Sequence, residues 1–132
     1  MALRLVLKPH ERLIIGGAVL RNGAMRAELM IENTVPVLRD RDILRLNTAT
    51  TPCSRIYLAI QLMYVEPEQR TKQRDTYETL IRDVLAAAPS TRELIERIDA
   101  EVSAGRYYHA LKIARELLTY EQTLFAHAHE RS

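Results

Sequence analysis

The apolar residues of this chain change their spacing near residue 47, and that change limits the folds open to it. Up to Leu38 they alternate. Leu3, Leu5 and Leu7 share one face, while Arg4, Val6 and Lys8 take the other. This is the two-residue period of a half-buried strand. From Thr51 onward they recur every three to four residues, the period of an amphipathic helix. A chain with this order of patterns is expected to be α+β. It should have a small antiparallel β unit over residues 1–46 and a bundle of about four helices over 47–132.

Strands are expected at Leu3–Lys8, Arg12–Ile15, Ala18–Arg21, Met25–Glu32 and Val35–Leu38. Pro36 lacks an amide hydrogen, which places the last of these at a sheet edge. In "ERLIIGGAVLRNG", Asn22-Gly23 reads as the tight hairpin turn and Gly16-Gly17 as a bend or bulge. Neither a Gly-x4-Gly-Lys-Ser/Thr run nor a Gly-x-Gly-x-x-Gly opening a helix is present, so the glycines do not announce a phosphate loop.

In the second half, Thr51-Pro52 is an N-cap followed by a first-turn proline. Ile56, Ala59, Ile60 and Met63 then form an apolar stripe. Glu66-Pro67-Glu68 stops that helix and starts the next, which carries Tyr77, Leu80, Ile81, Val84 and Leu85. "STRE", Ser90 to Glu93, has capping-box spacing ahead of a third helix. Gly105 suits the position just past that helix's end. A fourth helix runs from about Arg106 towards Ala126, with Tyr107, Leu111, Ala114 and Leu118 on one stripe. It resembles a single tetratricopeptide helix, but no copy recurs at a 34-residue period.

Charge is close to balance at +2, yet unevenly spread. Residues 1–46 hold eight basic and five acidic residues, and the remainder eleven and twelve. A basic β unit attracts phosphate. Arg39 and Arg41, in "LRDRD", are candidate forks for phosphates or a guanine edge, with Asp40 or Asp42 capping a short helix after them. Arg4, Lys8, Arg12 and Arg26 would add phosphate attraction. Aromatic residues are only 5%, too sparse for a sheet that stacks bases in series. Tyr107 and Tyr108 therefore read first as core or interface residues.

Features of enzymes are weak. Cys53 is the only cysteine, so no intramolecular disulfide is possible and a reducing interior fits. It sits near a helix start, where the dipole favours a thiolate, but no histidine is placed to serve it. His127 and His129 make only half of a metal site, and no metal or other cofactor is expected. The N-terminus shows no secretion signal, and no apolar run approaches the ~20 residues that span a bilayer. A cytoplasmic, non-enzymatic protein is expected.

Four stretches in order, "LVLKPHERLIIGGAVLRNG", "IENTVPVLRDRDIL", "TPCSRIYLAIQLMYVEP" and "YYHALKIARELLTYE", together resemble the FlbT family of bacterial flagellin-synthesis regulators. Where that family usually has glycine after Lys-Pro, this chain has His10. The resemblance implies a regulator acting after transcription on the 5′ untranslated leader of flagellin mRNA, as repressor or activator. It also implies a link with a second small flagellar regulator, FlaF. The order of strands ending in "VPVLRDRDI" is similar to CsrA-type RNA-binding regulators, which are intertwined dimers. That similarity implies a homodimer here, with Arg39 or Arg41 as the arginine that grips RNA. An alternative remains open: the helical half, through Tyr107, Leu111 and Leu118, would hold FlaF, flagellin or a second copy, with no direct RNA contact.

Overall fold

The computed structural model describes residues 2–130, and the side chains of residues 2–128. The architecture is α+β, with five short strands followed by four helices. The chain divides into two compact units, Met1–Ile43 and Leu44–Ser132.

In the first unit, β1 (Leu3–Leu7) pairs antiparallel with β4 (Ala27–Ile31), and β2 (Arg12–Ile15) lies between β3 (Ala18–Arg21) and β5 (Val37–Arg39). The two sheets meet through Leu5, Leu7 and Leu13, flanked by Ile15, Ile31 and Val37. Alternation explains that choice, since Leu5 and Leu7 share a face of β1 and Leu13 and Ile15 share a face of β2. As Pro36 requires, β5 pairs only with β2 and forms an edge.

The two glycine turns exchange the roles expected of them. Ile15 pairs with Ala18, so Gly16-Gly17 is itself the two-residue hairpin turn. Gly16 has φ +59° and Gly17 is not left-handed, the pattern of a type II′ turn. Asn22-Gly23 instead leads the chain from one sheet to the other. The Asn22 side-chain amide donates to Lys8 O at 2.8 Å and Met25 O at 2.9 Å. Its backbone N–H donates to Glu11 O, and Gly23 O accepts from His10 N–H. The asparagine thus ties down the turn between β1 and β2. In that turn His10 has φ 62°, a left-handed conformation natural to glycine.

The second unit contains α1 (Pro52–Val65), α2 (Arg70–Ala87), α3 (Arg92–Ser103) and α4 (Tyr107–Glu130). Thr51 caps α1: its hydroxyl accepts from Ser54 N–H, and Ser54 Oγ accepts from Thr51 N–H. Ile56, Ile60, Met63, Ile98, Val102 and Leu117 are fully enclosed. The stripe of α4 packs on α1 and α3. Gly105, at φ +75°, ends α3. Its N–H reaches Val102 O, and Arg106 N–H reaches Glu101 O at 2.8 Å, a Schellman closure.

The expected capping box at Ser90–Glu93 does not form. Pro89–Thr91 is a 3-10 turn, so Thr91 already has helical angles, and its hydroxyl donates back to Ala88 O at 2.7 Å. Nor does an aspartate cap a helix after β5. Asp40–Asp42 is itself a 3-10 turn without a side-chain cap.

Candidate nucleic-acid interface

The register of the β2–β3 hairpin follows from its two-residue turn, and it sets Arg12 directly opposite Arg21. Directly opposed residues of an antiparallel pair share a face, with Cβ atoms about 4.5–5.5 Å apart. Like charges so placed repel each other and favour an anion between or above them. Arg12 is half-buried and Arg21 exposed. Arg21 was not among the site residues expected from sequence. Its signal was the distance of each arginine from Gly16-Gly17, legible once those glycines are seen to be the turn.

The remaining basic residues have different surroundings. Arg39 lies opposite Leu13 and therefore on the core-facing side of β5. Its guanidinium donates to Val6 O at 2.7 Å, and Glu11 Oε2 lies 3.5 Å away. Glu11 Oε1 in turn accepts from Lys8 N–H at 2.8 Å. Arg39 is thus a strut between the two sheets, with its side chain 33% exposed. Arg41, in the 3-10 turn, is 80% exposed and lies 3.9 Å from Asp42. Arg4 makes a two-pronged pair with Glu28, at 2.8 and 3.1 Å. Lys8 and Arg26 are exposed.

In the helical unit, Tyr107 and Leu111 are buried among the chain's own helices and Leu118 is half-buried. The stripe they form is used for internal packing. A cavity of about 720 Å³ lies elsewhere in this unit, walled chiefly by Pro52, Val84, Ala87, Leu124 and Phe125, with Cys53 and Glu121 on its side. Phe125 remains 54% exposed.

Glu121 is a buried carboxylate that closes the start of α1 from α4. It accepts from the Thr51 hydroxyl at 2.6 Å and from Cys53 N–H at 3.1 Å. The thiol of Cys53 is pushed up to about 12, first by burial and then by the Glu121 charge and hydrogen bond. These outweigh the helix dipole. The thiol is held protonated at neutral pH. Native Cys53 should therefore resist iodoacetamide for hours and react within minutes in denaturant, as followed by intact mass. Fast native alkylation would contradict its burial. The folded chain also holds the thiol proton more tightly than the unfolded one, so this group lowers stability as pH rises above about 9.

Among the described residues, no group of three or more His, Cys, Asp or Glu side chains is gathered to hold a metal ion. The side chain of His129 lies outside the described residues. No helix of the described residues is long and apolar enough to cross a membrane.

Comparison with known proteins shows the family. The family model described as "Flagellar protein FlbT" matches residues 3–125. The chain belongs to the FlbT family. A relative from Bradyrhizobium diazoefficiens, named as a probable flagellum biosynthesis repressor protein FlbT 1, is 49% identical over 94% of this chain and 85% of its own length. The FlbT of Rhodopseudomonas palustris strain TIE-1 is 40% identical, covering 96% and 99%. In Caulobacter vibrioides, the relative named flagellum biosynthesis repressor protein FlbT is 33% identical, covering 96% and 92%. No solved structure matches the chain. The FlbT match therefore covers both the basic β unit and most of the helical unit.

Proposed function

We propose that this chain regulates flagellin expression after transcription, by binding the 5′ untranslated leader of flagellin mRNA through its β unit. Membership of a family whose relatives are named flagellum biosynthesis repressors supports regulation of flagellar expression. The observation that carries the RNA contact is the facing of Arg12 and Arg21. A phosphate seated there relieves their repulsion and gains two guanidinium forks. Exposed Arg41, Lys8 and Arg26 extend the cationic surface. Arg4 contributes less because Glu28 already neutralises it. Arg39 holds the sheets that present the others. The exposed Leu3, Leu20 and Leu29 support a dimer through this unit.

Replacing Arg12 and Arg21 together by alanine should weaken leader binding across sequences and reduce the salt slope by about two. A gel shift with a flagellin leader across a salt series measures both. Unchanged affinity in a folded double variant would remove these residues from the interface.

The cavity beside Cys53 favours a second reading. An apolar side chain or helix of a FlaF-type regulator or of flagellin would fill it, and regulation would then pass through protein contact in the cytoplasm. No gel shift at any salt, together with co-elution of FlaF or flagellin, would decide for that reading.

A further inference from the structure

Helices α1 and α4 run side by side, and one seam between them carries rings and cations together. Tyr64 of α1 and Tyr108 of α4 have ring centroids 5.9 Å apart, tilted by 41°. His109 lies edge-on to Tyr108, at 6.3 Å. The Lys112 ammonium sits 5.0 Å over the Tyr108 ring. One turn further, the Arg115 guanidinium lies 5.7 Å from the Tyr57 ring and 3.3 Å from its hydroxyl. Helical spacing accounts for the line, because 108, 112 and 115 fall on one face of α4 and 57 and 64 on one face of α1. Tyr64 and Tyr108 are half-buried, while His109, Lys112 and Arg115 are exposed.

The two helix stretches that form the seam carry more basic than acidic residues. No acidic residue occurs in α1, which contributes Arg55, and Glu66 comes only after its end. Within Tyr107–Leu117 the one acid is Glu116, already 3.4 Å from Arg97. Arg70 and Arg74 donate to backbone carbonyls at helix ends, Met63 O and Val102 O; Lys112 and Arg115 are held against tyrosine rings. Tyr107, next to Tyr108 in sequence, is buried.

We infer that this seam of Tyr64, Tyr108, His109, Lys112 and Arg115 is a second contact surface for single-stranded RNA. The inference rests on the direct RNA binding proposed above. Partly open rings offer faces for unpaired bases, and cations beside them meet the phosphates that follow. An acidic protein would use the cations alone, whereas unpaired bases would also use the exposed part of the half-buried Tyr64 and Tyr108 rings.

The chain has no tryptophan, so Tyr108→Trp introduces a unique emission signal. The full-length variant is titrated with a twelve-nucleotide single-stranded RNA, with inorganic polyphosphate as the control. RNA should quench the emission and polyphosphate should not. In the wild-type background, Lys112→Glu and Tyr108→Leu should each weaken the same RNA about tenfold. Lys112→Glu should also lower the salt slope by about one. Lys112 is exposed, so that variant keeps the fold, and an unchanged melting curve checks it.

No quenching, with both variants binding like wild type, would overturn the second surface. If Arg12→Ala with Arg21→Ala still abolishes binding in that case, the β-unit reading survives alone. If wild type binds no RNA at any salt, both readings fall. Loss of an acidic partner protein by Lys112→Glu, with RNA affinity intact, would likewise overturn the RNA assignment.

Discussion

Arg39→Ala should cost the β unit about 2–3 kcal/mol, most of what so small a unit has to lose. The larger part comes from the charged hydrogen bond to Val6 O at 2.7 Å, since such bonds are worth about 1.5–3 kcal/mol. The Glu11 contact, at 3.5 Å and partly exposed, adds little after solvent screening. Few buried leucines stand behind them. Both contacts come from one nitrogen, Nη2, so Arg39→Lys should restore part of the loss to the extent that its shorter stem lets the ammonium reach Val6 O. Hydrogen exchange of the β1, β2 and β5 amides measures the effect. RNA binding should fall as well, but through loss of structure. If exchange is unchanged while binding collapses, Arg39 is a contact residue and not a strut.

Glu121→Ala should lower helical-unit stability by about 3 kcal/mol. It strands one buried donor, Cys53 N–H, and removes the carboxylate from the half-buried Thr51 hydroxyl, which keeps Ser54 Oγ as a partner at 2.9 Å. A stranded buried donor costs about 1–3 kcal/mol, and the negative charge at the start of α1 is lost with it. In a unit of this size the melting temperature should fall by roughly 10–20 °C. Glu121→Gln keeps an acceptor and should recover part of the loss. It should also bring the Cys53 thiol down, since a neighbouring charge disappears, although burial still holds it above its usual value. A melting curve within a few degrees of wild type would contradict the role given to Glu121.

The sequence made most elements visible, because period and punctuation agreed there. Arg12–Ile15 and Ala18–Arg21 occur as expected, Thr51 and Pro52 open α1, and Gly105 closes α3. The turns were less legible. Both Gly16-Gly17 and Asn22-Gly23 tolerate hairpin geometry, and only long-range pairing decides which closes a two-residue loop. A choice of that kind is made by β1 reaching β4 across twenty residues, and no local preference encodes it. The same reason hid the Arg12–Arg21 pair and the inward turn of Arg39. Ser90–Glu93 misled because capping chemistry needs an extended N-cap, whereas Pro89 starts the turn early. Helical periodicity placed Tyr107 correctly as an apolar position, but one step of about 100° separates it from half-buried Tyr108.

The Thr51–Glu121 bond joins residues 70 positions apart, from the opening of the first helix to the closing stretch of the last. During synthesis at about 5–20 residues per second, some 4–14 s pass between the appearance of these two residues. Until Tyr107 and the residues after it are made, the face of α1 that α4 covers stays open, and the Glu121 bond closes last. The β unit, whose longest pairing spans fewer than thirty residues, can form in the meantime. A nascent chain would therefore present a folded cationic head while its helical end still awaits completion on the ribosome.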